Sequence, residues 1–468
     1  MWRRKATVVL CSLVLVLASA CGGGGGNGDN NGNASQENKT GTEVEQQNEG
    51  AVNSEANGEQ QAANNPNATP EMDFDMGGRT IKLASWYDES IKGDNPDSIQ
   101  AKERLEALMK KHNFKVEYVV IDYGEYRDKV KASLLAGEPV GDIIRLARPW
   151  MIPSLVKQDL FWAVDEYTKN DRVFLQQYTN EFSQYKGRGY GFRVGISGAA
   201  NGIIYNRTLM HRLGLKPLQD YVDEDNWNWE TFIQVAKDAN RDTNNDGKLD
   251  TWGLATHSLL VPALASNDAN LVKEDKQNLE DPKTVEVLNF LSRLVTEQAA
   301  RPSEGGDWTE PRQFFVQGNT LMFPGSDYDM DSLRKDMPDY DIGFLPFPKG
   351  PSADGYRSYN TIPNYYTIPK AVEHPEQIVY IWEKIFDFDS IYDYPHQANF
   401  EKFFVTEEDI NNARMAVETF RVLDTNEGYP SMPYYEFIGE LLDGVSVSTV
   451  IEKYKAPFQS AIDEVWKE

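Results

Sequence analysis

Residues 242–250 read DTNNDGKLD, with oxygen-bearing side chains on alternate positions, a glycine sixth and an acid ninth. Calcium takes six to eight oxygens at roughly 2.3–2.6 Å, and alternate positions of a tight loop can aim several of them at one centre. Asp242, Asn244, Asp246 and Asp250 would supply side-chain oxygens, Lys248 its backbone carbonyl, and Gly247 the sharp turn. A calcium-sensing helix pair closes such a loop with a bidentate Glu at the twelfth position, where this chain has Gly253; that reading is therefore excluded. A plain Asx-rich turn is the alternative.

A second chemistry lies where apolar runs end. Trp86, Tyr87 and Asp88 follow TIKLAS, and Arg145, Arg148 and Trp150 sit in and after GDIIRLA. An aromatic face covers the apolar face of a sugar ring, and neighbouring Asp, Asn or Arg groups fix its hydroxyls. Packing is the alternative for any one of the ten Trp, and Trp229 and Trp252 are assigned to the core. Enzyme signatures are poor. The five His are scattered without HExxH, GISGA (195–199) ends in Ala199 where a nucleophile elbow needs Gly, and DGKL (246–249) lacks the rest of a phosphate loop. A glycoside-acting pair of carboxylates ~5–9.5 Å apart would stay hidden among so many acids, so that rival stays open. A formal charge of −26 argues against nucleic acid as a partner, because phosphate binding needs clustered Lys and Arg.

These residues need a frame. Thr80–Ser85 reads as a buried strand. A helix follows with Ala101, Leu105, Leu108 and Met109 on one face and Asp97 as N-cap. FKVEYVV (114–120) alternates as a strand, Tyr126, Val130 and Leu134 mark a helix stopped by Gly137, and 141–147 is a third strand. That alternation predicts a mostly parallel α/β layer, with solute outside the carboxyl ends of its strands. Further helix and strand pieces fall at 201–210 and 228–239. At 468 residues the chain has room for two to three domains.

The N-terminus carries Arg3, Arg4 and Lys5, an apolar run from Ala6 to Leu17, then Ala18, Ser19, Ala20 and Cys21. The run falls short of the ~20 residues of a membrane-spanning helix and reads as a signal peptide, residues 1–20. A cysteine directly after small residues resembles a bacterial lipobox, with Ala18 where Leu is commonest, so Cys21 is the expected lipidation site and acyl chains there would anchor the protein to a membrane. From 21 to about 76 the composition is Gly, Asn, Gln and Glu, a tether with an expected end-to-end distance of ~40 Å.

Taken in order, GGRTIKLASW, AGEPVGDIIRLA, PSLVKQDLFWAVDEY, YNRTLMHRLGL, WNWETF, DTNNDGKLDTWGLA, FFVQGNTLMFPGSDY and DIGFLPFPKGP resemble the family 1 extracellular solute-binding proteins of bacterial ABC importers, over nearly all of 77–468. The resemblance implies two α/β lobes joined by a hinge, the type II periplasmic-binding-protein arrangement. Lobe one would be 77–195 and 341–390, and lobe two 196–340 and 391–468. It implies non-covalent capture of a sugar or oligosaccharide in the cleft, delivery to permease subunits, action as a monomer, and no catalysis. Peptide or another small solute is the alternative ligand. The family usually ends the segment after Gly-Asn-x-x-Met in a ligand-stacking Trp; Tyr328 stands there, with Asp327 beside it. Asn364, Tyr365 and Tyr366 fall at the return near the hinge, Trp308 on a possible cleft lip, and Tyr434 and Tyr435 where relatives present aromatics. The resemblance also makes the calcium loop a structural brace, although Thr251 replaces an acid common in that version. The arginines Arg145 and Arg148 raise the idea of an acidic sugar.

Overall fold

The computed structural model describes residues 67–175, 183–194, 199–360, 363–394, 396–419, 421–423 and 425–467. Cys21, the signal segment, most of the tether and the expected crossing at Gly195 lie outside the described residues. Eight strands form two four-stranded sheets: β1 (Arg79–Ser85), β2 (Phe114–Val120), β3 (Ile143–Ala147), β4 (Asn201–Asn206), β5 (Trp252–Leu254), β6 (Thr320–Ser326), β7 (Ile342–Pro346) and β8 (Asn364–Thr367). The first sheet runs β8-β3-β1-β2 and the second β7-β4-β6-β5.

In the first sheet β1 is parallel to β2 and β3, placing Leu83 opposite both Tyr118 and Ile143. β8 closes it antiparallel, with Tyr366 opposite Arg145. Alternation along β1 serves two cores. Ile81 and Leu83 pack with Ala101 and Leu105 of α1 (Pro96–His112) and with Ile378 and Ile381 of helix Pro375–Phe386. Ala84 turns the other way, to Tyr126, Val130 and Leu134 of α2 (Tyr123–Leu135). Both faces are covered, as a parallel sheet requires. Two details depart from expectation. The α1 cap is Asn95, whose side chain accepts from Ser98 N at 2.9 Å, and Asp97 falls inside the first turn behind Pro96. Val120 is exposed because β2 is an edge strand, leaving its far end uncovered.

In the second sheet β4 is antiparallel to both β6 and β7, and β5 is parallel to β6. Ile203 and Tyr205 face a core with Phe232 of α3 (Trp229–Ala239) and Leu288 of α4 (Pro282–Thr296), while Ile204 faces Phe344, Ala413 and Val417. The Arg207 guanidinium is buried beneath this sheet and answered by Asp409 at 2.7 Å, Glu408 at 3.1 Å and Asp341 at 3.3 Å, the compensation a buried cation demands. The placement of 341 onward in lobe one meets a correction here. Ile342–Pro346 hydrogen-bonds along β4, with Phe344 opposite Ile204, so this stretch completes the second sheet, and the first-sheet strand from the returning chain is β8.

Candidate functional site

At the carboxyl end of β1 and β3 the first sheet carries an aromatic platform. Trp86 packs against Trp150 (centroids 5.6 Å), Tyr123 (5.9 Å), Tyr126 (5.3 Å) and Tyr87 (6.1 Å). The Arg145 guanidinium lies over both Trp86 (4.6 Å) and Tyr87 (4.3 Å). Glu89 holds it there: Arg145 donates to Glu89 Oε1 at 2.5 Å, and the Tyr366 hydroxyl donates to Glu89 Oε2 at 2.9 Å. Burial lowers the Arg145 guanidinium to about 10 and raises the Glu89 carboxyl, the latter against the hydrogen bond from Tyr366. Behind them Arg193 donates to Asn364 O at 2.9 Å, and among the described residues its Nε and the Asn364 Oδ1 have no hydrogen-bond partner. Glu89 pairs directly with Arg145, so that guanidinium is already answered by a carboxylate, with Arg193 a second cation close by.

The second lobe presents a different wall. Asn201, Ser326, Tyr328, Asp329 and Tyr359 line a cavity of about 420 Å³ beyond the end of β6. Ser326 Oγ donates to Asn201 Oδ1 at 2.5 Å, and Ser326 N to Asp329 Oδ2 at 2.8 Å. Tyr328 is 61% exposed, and burial raises the Tyr359 hydroxyl to about 12. Asp327 turns inward, with Oδ1 unpartnered among the described residues, and burial raises its carboxyl to about 6. Next to this cavity Tyr359, Tyr434, Tyr435 and His257 line another of about 490 Å³.

The two surfaces flank one crossing of the chain. Tyr359 belongs to the second wall, while Pro363 O accepts from Arg148 N at 2.8 Å beside the platform. Four residues span at most about 14 Å. Nearby, Gly428 approaches Pro149, and Tyr185 stacks on Trp466 at 5.9 Å.

The expected site residues therefore divide. Trp86, Arg145 and Trp150 come together, with Trp150 buried at 6% exposure. Arg148 opens the short helix Arg148–Met151 at the end of β3. Asp88 turns away to an exposed ion pair with Lys92. Tyr365 is buried, and Tyr366 lies behind the platform with its hydroxyl tied to Glu89. Tyr328 and Tyr435 stand exposed, and Tyr434 is buried. Trp229 stacks on Phe290 at 4.4 Å in the core, while Trp252 is only half-buried. Glu89, Arg193 and Asn201 were not singled out by sequence. Their types carry no local signature, although Glu89 follows the WYD stretch directly.

The 242–250 loop turns through Asn245 (φ 62°) and Gly247 (φ 86°). Its oxygens are occupied by its own amides. Gly247 N donates to Asp242 Oδ2 at 2.8 Å, Lys248 N to Asp246 Oδ1 at 2.8 Å, and Thr243 N to Asp250 Oδ2 at 2.7 Å. Asn244 sets its amide nitrogen between Asp250 (3.1 Å) and Asp246 (3.3 Å), a donor where a cation needs an acceptor. Among the described residues no group of three or more His, Cys, Asp or Glu side chains is placed to hold a metal ion. In this arrangement the loop is no ready-made cage. The glycine at the twelfth position has its own cause: a Cβ on Gly253 would lie 2.0 Å from Ala236 O of α3.

Comparison with known proteins agrees with this architecture. An arabinooligosaccharide-binding protein of Bacillus subtilis (strain 168) is 24% identical over 195 residues, 41% of this chain and 42% of that relative, so the match spans less than half of the relative's length. Among solved structures, UspC of M. tuberculosis superposes with a TM-score of 0.61 at 14% identity, covering 82% of this chain and 100% of that one. A cyclo/maltodextrin-binding protein complexed with maltotetraose gives 0.58 at 14% identity over 86% of this chain and 100% of its own. The GacH receptor of Streptomyces glaucescens, solved unliganded and with acarbose, gives 0.54 at 16% identity, over 84% and 99%. At such identities the likeness concerns the fold, the two-lobed α/β architecture of periplasmic binding proteins. No helix among the described residues is long and apolar enough to cross a membrane. The profile of the family described as bacterial extracellular solute-binding protein matches residues 95–388, more than half of the chain, and the protein belongs to that family.

Proposed function

We propose that this protein captures a carbohydrate, an oligosaccharide, between its two lobes and delivers it to the permease of an ABC importer. The observation that carries the reading is the pairing of surfaces. An Arg145-braced aromatic platform on the first lobe and a Tyr328–Asn201–Ser326 wall on the second flank one chain crossing. Aromatic faces with a few placed hydrogen-bonding groups suit sugar rings. Arabinooligosaccharide and maltodextrin binding by the relatives named above supports the same class. Capture requires no bond-making. Solute binds the closed arrangement better than the open one and shifts the equilibrium by that difference.

The accompanying proposals concern the frame. Cys21 is the lipid attachment point, so the protein works tethered to the outer face of the cell membrane, and the family resemblance makes it a monomer there. The 242–250 loop binds calcium once the Asn244 carboxamide turns its oxygen inward, bracing the corner between α3 and β5. Thermal unfolding of residues 67–468 against arabino-, malto- and manno-oligosaccharides, with product analysis, tests the main reading. A ligand at 100 Kd should add ~2.7 kcal/mol of stability. A selective shift with the sugar intact supports capture, whereas cleavage, or no shift with any sugar, refutes it.

A further inference from the structure

Residues 67–76, NATPEMDFDM, fall inside the stretch that composition assigns to the tether, yet they lie packed on the first lobe. Thr69 makes three bonds there. Its N donates to Glu383 Oε1 at 2.8 Å, its Oγ1 donates to Glu383 Oε2, and its carbonyl accepts from Lys384 Nζ at 2.7 Å. Glu383 is fully buried, with Asn170 Nδ2 as a further donor at 2.9 Å. A buried carboxylate needs such donors, because leaving it short of partners is costly. Glu71 joins two helices: it accepts from Lys111 of α1 at 2.5 Å and from the Tyr380 hydroxyl of helix Pro375–Phe386 at 3.0 Å. Phe74 joins the same two with its ring, stacked on His112 at 4.1 Å and edge-on to Tyr380 at 5.8 Å. Backbone groups continue the contact: His112 Nδ1 lies 3.0 Å from Phe74 O, and Met76 N donates to His112 O at 2.9 Å. Met72, Phe74 and Met76 face the core that both helices share, while Glu71, Asp73 and Asp75 stay exposed, the alternation of an extended chain lying on a surface.

The two helices come from distant parts of the chain, and one of them backs the platform. Trp382, the neighbour of Glu383, packs edge-on against Tyr366 of β8 at 6.2 Å, and the Tyr366 hydroxyl bonds Glu89, the partner of Arg145. The strap itself lies on the α1 face of the first sheet, whereas Trp86 and Trp150 pack with the core on the α2 face, so it supports the platform without obstructing it. We propose that residues 67–76 are a clasp: they fasten helix Pro375–Phe386 to α1, steady β8 behind the platform, and make the first lobe the one that the tether holds. The second lobe is then the half left free to swing when solute closes the cleft. The held lobe rests on lipid attachment at Cys21 and the swing on solute capture; the clasp rests on neither.

Limited proteolysis, hydrogen exchange and thermal unfolding of residues 21–468 carrying Cys21→Ser test the clasp with no solute present. A Glu-specific protease should spare the bond after Glu71 in this parent and cut it in Phe74→Ala. Phe74→Ala should also speed exchange about tenfold in helix Pro375–Phe386 and β8, leave β4 and β6 of the second sheet unchanged, and lower the melting temperature by about 5 °C. Thr69→Val, which loses the hydroxyl, should show the same pattern more weakly, and Thr69→Ser, which keeps it, should match the parent. A parent cut readily after Glu71, or exchange unchanged in Phe74→Ala, overturns the clasp. Faster exchange that stops short of β8, or that spreads equally over both sheets, overturns the bracing of the platform. Mass spectrometry of the mature, unsubstituted chain decides the held lobe separately: an acylated Cys21 supports it, and an unmodified Cys21 overturns that part while the clasp stands.

Discussion

Glu89→Ala is the most informative single change. Glu89 and Arg145 side chains are 13% and 15% exposed and meet at 2.5 Å, and Arg193 lies close enough to act on the same carboxylate. Removing the carboxylate leaves Arg145 buried against two rings with no counter-charge, and it frees the Tyr366 hydroxyl as well. Breaking a buried pair from one side costs about 3–5 kcal/mol, and the remaining solvent access places this one near 3 kcal/mol. The platform should loosen too, because Arg145 fixes the rings of Trp86 and Tyr87. Urea unfolding of Glu89→Ala, Arg145→Met and the double variant separates these effects. Arg145→Met keeps a long apolar body over the rings, so in the Glu89→Ala background it should recover about 2 kcal/mol by removing the stranded charge. Single effects that add to the double within about 0.5 kcal/mol would refute the coupling. So would a Glu89→Ala protein as stable as wild type.

Three further outcomes are expected. Gly253→Ala should destabilise by about 3 kcal/mol or more in chemical denaturation, because its Cβ meets the backbone oxygen of Ala236 at 2.0 Å and a helix carbonyl cannot step aside; a neutral effect would contradict the packing of α3 on β5. Burial raises Asp327 from 3.8 to about 6, so its proton is bound more tightly in the folded state, and its contribution is most favourable below pH 4 and lost as pH rises through 6. Asp327→Asn should therefore stabilise the protein by about 2 kcal/mol at pH 7.5 and by almost nothing near pH 4, and equal effects at both pH values would rule the titration out. Calcium added to chelator-treated protein should raise the melting temperature, and Asp246→Ala should abolish the rise; an unchanged melting temperature in protein verified as metal-free removes calcium from the account.

What was legible in the sequence was local. The buried strand at TIKLAS, the alternation in FKVEYVV and the helical spacing of Ala101, Leu105 and Leu108 each follow from contacts within a few residues, and each stands in the structure. The platform was half legible for the same reason: Trp86 directly follows β1, at the end where a parallel sheet places its ligands, while Arg145 sits mid-strand in β3. Whatever depended on distant partners was decided by the tertiary structure. Ile342–Pro346 belongs to the second sheet because β4 supplies its hydrogen bonds from some 140 residues earlier, a pairing that no local pattern encodes. Glu89 looked like one acid among many until Arg145 and Tyr366 were folded onto it. Asn95, not Asp97, caps α1, because both are competent caps and Pro96 fits only the first turn after Asn95. Spacing determined the α/β class and the aromatic and polar character of the strand ends, and the two lobes came only from the family resemblance; long-range pairing, which brings charge to charge and backbone to backbone, decided which strands and side chains meet.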